Sequence, residues 1–503
     1  MGSVSQITAS SLEQEHWTAA MQCNELGQEI ERILPGDVIS KWQYDLTGRP
    51  THHRISSQNR DTRRRVYNWD VNHRLRSMVN ELTGVKVTYG YDEFSNLIWS
   101  NQGGQFDFLH RSVDDVGNLY ETKEKTDRVY GAGSRLLETK EATFSYDDEG
   151  NLVEKVEKNG DTWKYEYDGS GMMSRVTRPD KMEVTFKYDT LGRHIEKSFD
   201  GKTTYFIWDG NTTLHEWVED GGCTCELCTS NTSTNNETHH SDDIAKNLVT
   251  WIFDPGTFRP SAKLTNEGKF SIITDYLGTP VEAYDSKGNR VWSSELDIFG
   301  RVREFTSEKD FIPFRYQGQY EDVETGLYYN RFRYYSPIEG IYTQIDPIGL
   351  AGNNPTLYGY VNDPNAWLDI LGLSCTKELK KNMDRANKEL GKTEGYMKRA
   401  WRKEKGSAAH HIVAGDDLRA QPARDILAHY KIDINSADNG IYLKHIDPNS
   451  KQPGAYHRVI HTNIYYEDVN KRIINASKAG GKSAVEKELE RIRNELLFDK
   501  KVY

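Results

Sequence analysis

Short segments in which hydrophobic and polar residues alternate recur along most of this chain. Thr143–Tyr146 and Trp163–Tyr167 alternate with a period of two, which is the pattern of a half-buried β-strand. Each segment ends in Tyr-Asp, and an Asp-x-x-Gly turn and a second, more charged strand follow. Glycine supplies a positive φ in such a turn without steric strain. The pattern therefore predicts a repeated unit of strand, turn and strand.

The unit repeats at intervals of roughly 20 to 30 residues, the size of one supersecondary unit in a solenoid or array. Clear copies are Tyr44-Asp45, Tyr91-Asp92, Tyr146-Asp147, Tyr167-Asp168 and Tyr188-Asp189, and looser ones are Trp69-Asp70, Asp114-Asp115 and Trp208-Asp209. Because each unit has one apolar and one polar face, neighbouring units must stack to bury the apolar face. A generic β-repeat surface protein without cargo is an alternative that fits the same repeats.

The periodicity changes after Leu373, where helical spacing replaces alternation. Leu379, Met383, Ala386 and Leu390 recur at helical intervals within a segment rich in helix-forming residues, 376–404. Further helices are predicted over 417–430, from 456 through 473, and over 482–497. The tail is therefore predicted to be a small, mostly helical domain.

Charge separates the same two regions. The chain has 503 residues, which suggests more than one domain, and a formal net charge of -11. Residues 374–503 nevertheless hold 26 Lys and Arg against 18 Asp and Glu. An acidic carrier joined to a basic tail suggests that the tail meets a polyanion. No run of apolar residues is long enough to predict a transmembrane helix, and the first residues do not read as a secretory signal.

The tail carries a group of histidines with the spacing of a metal site. His457 and His461 are four residues apart, hence on one face of a helix, a spacing that suits two ligands on one metal. His410 and His411 are adjacent, and in a strand adjacent side chains point to opposite sides, so they are predicted to have different roles. Asn439 follows between the two pairs.

The carrier motifs resemble the YD repeats of Rhs proteins, and a denser set downstream resembles the Rhs-associated core. That set comprises Asp275–Pro280, Phe314–Tyr320, Glu324–Asn330, Arg331–Tyr335, Asp346–Leu350 and Asn362–Pro364. The resemblance implies a mostly β carrier, a piece of a YD-repeat β-cage. The predicted parts are a lead segment (1–40), the YD-repeat shell (41–269), the core (270–373) and the tail domain (374–503).

The resemblance also implies a self-cleavage site at the end of the core. Rhs cores end at a second Asp-Pro-x-Gly-Leu, which here reads Asp369-Ile370-Leu371-Gly372-Leu373, with Ile370 in place of proline. By resemblance, Asp346 and Asp369 form an aspartyl-protease-like pair that shares a proton and cuts between Leu373 and Ser374. The alternative is that both aspartates are ordinary turn residues.

The pattern His-His, Asn-Gly and His-x-x-x-His resembles the AHH branch of the HNH/endonuclease VII nucleases, which have a small ββα-metal fold. The resemblance implies that His410, His457 and His461 bind a divalent metal (Mg, Zn or Ni), and that His411 is the general base. Asn439 would hold the base or the loop. A structural zinc site that uses the same histidines is the alternative. Four cationic side chains would neutralise flanking phosphates: Arg458, Lys444, Lys471 and Arg472.

The implied function is a nuclease effector, with DNA favoured over RNA as substrate. Implied partners are the nucleic acid, a cognate immunity protein and a secretion-system spike or adaptor, without a membrane segment. The implied location is outside the producer, after export without a signal peptide, with action in the target-cell cytoplasm. The insert 221–246 contains Cys223, Cys225 and Cys228 with His239 and His240, which either bind a soft metal or lie in a polar surface loop.

Overall fold

The structure is a computed structural model that describes residues 4–10, 15–25, 27–104, 107–220, 247–347, 356–372, 383, 407–414, 418–444 and 463–498. Within these ranges the carrier is almost entirely β, and the tail is a small domain of two strands and several helices. The predicted fold class, a mostly β carrier with a small mostly helical domain, is therefore confirmed. The cysteine-containing insert 221–246 lies outside the described residues.

The first part of the carrier is a meander in which each strand pairs antiparallel with the next in sequence. The ten strands of the first sheet are β1 (Gln6–Ser10), β2 (Glu15–Cys23), β3 (Glu29–Leu34), β4 (Val38–Tyr44), β5 (Pro50–Ser57), β6 (Arg60–Trp69), β7 (Leu75–Asn80), β8 (Lys86–Tyr91), β9 (Leu97–Asn101) and β10 (Phe108–His110). A two-stranded ladder of β11 (Ser112–Val113) and β12 (Leu119–Tyr120) follows. The segment predicted as a lead, residues 1–40, thus contributes strands to the shell sheet.

The second part of the carrier is a longer meander of the same kind. Its sixteen described strands are β13 (Arg128–Tyr130), β14 (Leu136–Thr139), β15 (Ala142–Tyr146), β16 (Leu152–Glu157), β17 (Thr162–Tyr167), β18 (Met173–Thr177), β19 (Glu183–Tyr188), β20 (His194–Phe199), β21 (Lys202–Asp209), β22 (Thr212–Asp220), β23 (Val249–Phe253), β24 (Pro260–Leu264), β25 (Lys269–Thr274), β26 (Pro280–Tyr284), β27 (Arg290–Leu296) and β28 (Val302–Thr306). Short 3-10 helices occupy Ala132–Ser134 and Lys309–Phe311.

The repeated turn is closed by its own aspartate. In the turn after β19, the Oδ1 atom of Asp189 accepts hydrogen bonds from the backbone N–H groups of Leu191 and Arg193, at 2.9 Å each. Gly192 has φ +75°, a conformation that favours glycine. The same aspartate contacts recur at Asp45, Asp92, Asp114, Asp275, Asp285 and Asp297. Each unit therefore fixes its turn with local bonds.

Where an aromatic residue stands before the turn aspartate, it ties the unit to the preceding one. The hydroxyl groups of Tyr167 and Tyr188 donate to the backbone carbonyls of Leu152 and Met173, at 2.9 and 2.6 Å. Tryptophan does the same in the looser copies, where the indole N–H of Trp69 donates to the carbonyl of Pro50 at 2.7 Å. Tyrosine and tryptophan both place a hydrogen-bond donor at the end of an apolar ring, which explains why either fits the repeat.

Early and late strands of the shell pack against each other. The indole N–H of Trp17 donates to the Ser271 hydroxyl at 2.9 Å, and both side chains are buried. Arg32 forms a buried ion pair with Asp254, with 2.7 Å between Nη2 and Oδ2. A hydrophobic cluster joins β1–β5 to β24–β26. The N-terminal strands are thus an integral part of the shell.

The core segment lies along the turn edge of the shell. Its strands are β29 (Tyr320–Asp322), β30 (Leu327–Asn330), β31 (Arg333–Ser336) and β32 (Ile341–Tyr342). Tyr358, Gln344 and Tyr329 donate to the carbonyls of the turn glycines Gly150, Gly171 and Gly192, at 2.7, 2.8 and 3.1 Å. The core therefore connects successive turns of the shell and is held by them.

The C-terminal domain has a hydrophobic core of its own. It contains β33 (Ser407–His411), a 3-10 turn Leu418–Ala420, helix α1 (Gln421–His429), a 3-10 turn Ala437–Asn439, β34 (Gly440–Lys444) and helix α2 (Asn463–Phe498), which breaks at Gly480-Gly481. Its buried hydrophobic cluster draws its described members from residues 383–497. Contacts with the carrier include the ring of His73 on the Glu467 carboxylate, at 2.7 Å, and Arg419 above the ring of Trp367, at 5.6 Å. None of the described helices is long and apolar enough to span a membrane.

Candidate functional site

The two adjacent histidines lie at the end of β33, where the strand pairs antiparallel with β34. His410 is paired with Ile441 and His411 with Gly440. Both imidazole rings are buried, His410 with 2% and His411 with 6% of its surface exposed. Because neighbouring residues of a strand point to opposite sides, the two rings meet different surroundings.

His410 is held by the first turn of α2. Its Nε2 atom lies 3.0 Å from the hydroxyl oxygen of Tyr465, and that hydroxyl donates to the backbone carbonyl of Ile412 at 2.9 Å. Tyr465 is fully buried. The contact therefore fixes the orientation of the His410 ring and fastens α2 to the end of the strand.

His411 is held by a different partner. Its Nε2 atom lies 2.9 Å from Oδ1 of Asn435, in the segment that follows α1. Burial lowers the pKa of His411 to about 4, although the bond to Asn435 acts in the opposite direction. A side chain amide oxygen can only accept, so Nε2 carries the proton and Nδ1 carries the lone pair. The imidazole is thus neutral at neutral pH, with Nδ1 as its basic atom.

Asn439 holds the loop after the histidines. Its amide nitrogen donates to the carbonyls of Val413 and Ile434, at 2.9 and 2.8 Å, and its Oδ1 atom accepts from the N–H of Val413 at 2.7 Å. The sequence left two roles open, the base or the loop, and these contacts are with the loop backbone. A buried arginine of α2, Arg493, donates to the carbonyls of Ala437, Asp438 and Gly440 around it.

The other predicted residues of the tail are only partly placed. His457, His461 and Arg458 lie outside the described residues, as does the side chain of Lys444. Lys471 is exposed on α2. Within the described parts of the chain, no three His, Cys, Asp or Glu side chains are grouped so that they could hold a metal ion. The set of three histidine ligands therefore stays a prediction.

Arg472 needs a correction. It was predicted to contact phosphate, but its guanidinium group lies between Glu488 and Glu495 of the second half of α2, each at 2.7 Å, and near Asp468 at 3.4 Å. Its donors are therefore directed at three carboxylates, which makes it a poor phosphate ligand. Its role in the structure is to hold the two halves of α2 together across the glycine break.

The chemistry around His410 fits the metal that the sequence pattern implies. A metal-ligating histidine usually has its other ring nitrogen held by a neighbouring polar group, which fixes the ring and the tautomer. His410 has this arrangement, because Tyr465 holds its Nε2 atom. Among the predicted ligands it is the one that the structure describes.

The junction aspartates converge on one arginine. Oδ2 of Asp346 and Oδ2 of Asp369 lie 3.2 and 3.1 Å from the same Nη2 atom of Arg333, and all three side chains are nearly inaccessible to solvent. The family resemblance implies that the two carboxylates share a proton. Here a guanidinium group lies within hydrogen-bond distance of both and offsets their mutual repulsion.

The same arginine also holds the backbone next to the predicted cleavage point. The Nε atom of Arg333 donates to the Gly372 carbonyl at 2.6 Å, and the Tyr342 hydroxyl donates to Oδ2 of Asp369 at 2.8 Å. Gly372 has φ +61° and passes so close to the carbonyl oxygen of Asn330 that a side chain there would clash. Leu373 and Ser374, the predicted cleavage site, lie outside the described residues.

Three contact residues were not found from the sequence. Tyr465 and Asn435 belong to no motif, and nothing in the core motif that contains Arg333 indicates that this residue contacts Asp346 and Asp369. Tyr465 lies four residues after His461 and Arg333 lies within the core motif, and these positions were the available signals.

Comparison with known families covers both parts of the chain. Residues 26–213 and 234–354, more than half of the chain, match the teneurin YD-shell family. Residues 392–496 match the AHH family, a nuclease family of the HNH/ENDO VII superfamily with conserved AHH. The second match contains His410, His411 and Asn439 and the undescribed His457 and His461.

The names of similar proteins refer to several different activities. The chain is 30% identical over 303 residues to the double-stranded DNA deaminase toxin A of Burkholderia cenocepacia, covering 57% of this chain and 21% of that protein. It is 25% identical over 374 residues to the probable deoxyribonuclease RhsB of Dickeya dadantii, covering 69% and 24%. It is 25% identical over 300 residues to the tRNA3(Ser)-specific nuclease WapA of Bacillus spizizenii, covering 58% and 11%.

The chain thus spans less than a quarter of the length of each of these relatives. The repeated units, the core and the paired histidines all agree with the two family matches. The chain therefore belongs to the teneurin YD-shell family, as an Rhs-type protein that carries an AHH nuclease domain at its C-terminal end.

Proposed function

We propose that the C-terminal domain is a metal-dependent endonuclease, carried as a toxin by the YD-repeat shell. The observation that carries the proposal is the pair of buried histidines at the end of β33. Each ring has its own hydrogen-bond partner, His410 with Tyr465 and His411 with Asn435, so the two rings have separate roles.

In this proposal His411 is the general base. Asn435 holds its Nε2–H, and Nδ1 accepts a proton from the water that attacks the phosphodiester. His410, His457 and His461 would hold the divalent ion, and Asn439 keeps the loop after His411 in place. When bound, the ion supplies electrostatic stabilisation of the charge that develops on the phosphate and on the leaving oxygen. Arg458, Lys444 and Lys471 are the cationic candidates for flanking phosphates.

We also infer that the core releases this domain by cutting the bond between Leu373 and Ser374. In this step one of the two side chains, Asp346 or Asp369, is ionised and the other carries a proton. The ionised one accepts a proton from the water that attacks the Leu373 carbonyl carbon, and the protonated one donates its proton to the nitrogen of Ser374 as the C–N bond breaks. Support comes from Arg333, which contacts both carboxylates and the Gly372 carbonyl. The substrate peptide is thereby fastened beside the acid pair.

DNA is the favoured substrate, because a relative that aligns with 69% of this chain is named a probable deoxyribonuclease. RNA is the second candidate, because another relative is named a tRNA-specific nuclease. The proposed setting is an effector that is exported, enters a target cell and acts in its cytoplasm. A cognate immunity protein protects the producer, and a secretion-system spike or adaptor carries the protein.

A plasmid-nicking assay tests the nuclease proposal. The full chain is incubated with supercoiled plasmid and Mg²⁺, Ni²⁺ or Zn²⁺, and a structured RNA is tested in parallel. We expect His411→Ala to reduce the rate by about 100-fold or more, since general acid–base catalysis contributes typically 10²–10⁴-fold.

The matched control is His429→Ala, a histidine of the same domain at the end of α1. It should nick at the rate of the wild type. Nicking by His411→Ala at the wild-type rate would remove His411 from the proposed mechanism. A wild-type chain that cuts neither polymer with any of the three ions would favour the alternative, a repeat surface protein with a non-catalytic cap.

A further inference from the structure

A tyrosine of α2 contacts the first predicted metal ligand. Tyr465 lies in the first turn of the helix and is fully buried, as is Ile412, while His410 is 98% buried. The Tyr465 hydroxyl contacts both of these residues, the carbonyl of Ile412 at 2.9 Å and Nε2 of His410 at 3.0 Å. One hydroxyl group therefore joins the helix, the loop after β33 and the histidine ring.

The direction of these two bonds determines which nitrogen of His410 carries its proton. A hydroxyl group has one proton, and a backbone carbonyl can only accept, so the Tyr465 proton is directed at Ile412. In the contact with His410 the hydroxyl oxygen must then accept a hydrogen bond, and the Nε2–H group of His410 must donate it. In the neutral imidazole the remaining nitrogen, Nδ1, is left with its lone pair.

We propose that Tyr465 is a positioning residue that fixes His410 in the Nε2–H tautomer, so that His410 binds the divalent ion through Nδ1. This inference rests on the proposed function, because the tautomer matters only if His410 is a metal ligand. It goes beyond that function by naming the ligating atom and a residue that the histidine pattern does not contain.

Tyr465 also lies close in sequence to another predicted metal ligand. It is four residues after His461, one of the two other predicted ligands, on the helix that begins at Asn463. The bonds to Ile412 and His410 fasten the start of this helix to the strand that carries the first ligand. Outer partners of this kind typically change metal affinity by 10–100-fold when they are removed.

The chain offers a matched pair of variants for the test. Tyr465→Phe removes only the hydroxyl group that contacts His410. Tyr466→Phe removes the same group from the next residue, which is also buried and lies 4.3 Å from the Arg419 guanidinium. Calorimetric titration of the metal-free full chain with Zn²⁺ gives the dissociation constant and the number of sites separately.

We expect Tyr465→Phe to weaken Zn²⁺ binding by roughly 10-fold or more with an unchanged number of sites, since outer partners act on affinity. Tyr466→Phe should bind within about twofold of the wild type, because the Tyr466 ring packs against the Arg419 guanidinium and outer partners change affinity through their contact with a ligand. If Tyr465 only stabilised the fold, Tyr465→Phe would reduce the number of sites that bind Zn²⁺ and leave the dissociation constant unchanged. Because the titration counts only folded molecules as sites, a partly unfolded variant still reports its affinity.

Two results would overturn the inference while the proposed function stands. The first is a wild type that binds Zn²⁺ and a Tyr465→Phe variant that binds it equally well. The second is an equal weakening in Tyr465→Phe and Tyr466→Phe. A wild-type chain that binds no Zn²⁺, Ni²⁺ or Mg²⁺ would instead contradict the metal site of the proposed function and, with it, this inference.

Discussion

The repeated turns of the shell and the histidine pair of the C-terminal domain find their hydrogen-bond partners at different distances along the chain. In the shell, Asp189 bonds to the backbone two and four residues ahead, and Tyr188 bonds to a carbonyl 15 residues before it. In the C-terminal domain, His411 bonds to a residue 24 positions away and His410 to one 55 positions away.

This difference affects how each region tolerates amino-acid substitutions. Several shell units repeat the same local bonds, so the loss of one set leaves the neighbouring units intact. The contacts His410–Tyr465 and His411–Asn435 belong to no repeated unit. The junction at Arg333 lies within the carrier but outside the repeated turns, and one guanidinium group there serves the carboxylates of Asp346 and Asp369 and the Gly372 carbonyl.

Removing Arg333 should have the largest effect. Arg333→Met leaves Asp346 and Asp369 buried without their cation, and breaking a buried ion pair in this way costs roughly 3–5 kcal/mol. We expect a lower unfolding temperature of the carrier and no cleavage at Leu373–Ser374, measured by scanning calorimetry and intact-mass analysis.

The control for this prediction is an arginine of a repeated turn. Arg193→Met removes a partly exposed pair with Asp189 and should cost below about 1 kcal/mol. Equal destabilisation by Arg333→Met and Arg193→Met would contradict the distinction between unique and repeated contacts.

Asn439→Ala should have the next largest effect, confined to the C-terminal domain. It removes the partner of two buried backbone groups of Val413 and of the partly buried carbonyl of Ile434, and each buried group left unpaired costs about 1–3 kcal/mol. Displacement of the loop after His411 should also lower the nicking rate on the order of 100-fold.

The nicking assay and the calorimetric transition of the C-terminal domain measure this prediction, while the carrier transition should not move. The control is Asn475→Ala, an exposed asparagine of α2 that should leave both unchanged. Wild-type nicking by Asn439→Ala would show that the loop does not position the base.

The smallest effect is expected at a single shell turn, and it depends on pH. Burial raises the pKa of Asp189, but hydrogen bonds from Arg193 and Leu191 outweigh it and hold the pKa below its usual value. The ionised carboxylate therefore contributes stability above the unfolded pKa of about 3.9, and this contribution disappears as the pH falls through the folded pKa.

Asp189→Asn should therefore destabilise the carrier by below about 1 kcal/mol at pH 7, as for other partly exposed pairs. The difference from the wild type should shrink below about pH 4. Denaturant unfolding of both proteins at pH 7 and pH 3 measures it. A difference of the same size at both pH values would exclude the carboxylate charge as its cause.

The strands and turns of the carrier could be predicted well from the sequence, because the residues that determine them are neighbours along the chain. The alternating segments at Thr143–Tyr146 and Trp163–Tyr167 lie within β15 and β17, and the Asp-x-x-Gly turns follow them. Of the helix predicted over 456–473, the described part from Asn463 lies in the first half of α2, and the helix predicted over 482–497 lies in the second half, after the break at Gly480-Gly481. Alternation, turn glycines and helical spacing are properties of neighbouring residues, so one sequence reveals them.

The partners of the site could not be predicted in the same way. Tyr465 and Asn435 become important only because folding brings them to His410 and His411. Arg472 was predicted to contact phosphate because it is a basic residue of the tail. In the structure the second half of α2 folds back, so that Glu488 and Glu495 lie beside its guanidinium group. Such contacts depend on how elements pack, which the periodicity of a single chain does not contain.

The separate hydrophobic cluster of the C-terminal domain has an evolutionary consequence. Since its described members all come from residues 383–497, recombination in the segment after Gly372 would exchange the whole cargo and leave the packing of the carrier untouched. Among the described residues, contacts such as His73 with Glu467 and Arg419 with Trp367 would need to be rebuilt. A lineage could therefore replace the C-terminal domain in one genetic event, while the carrier that holds it is inherited unchanged.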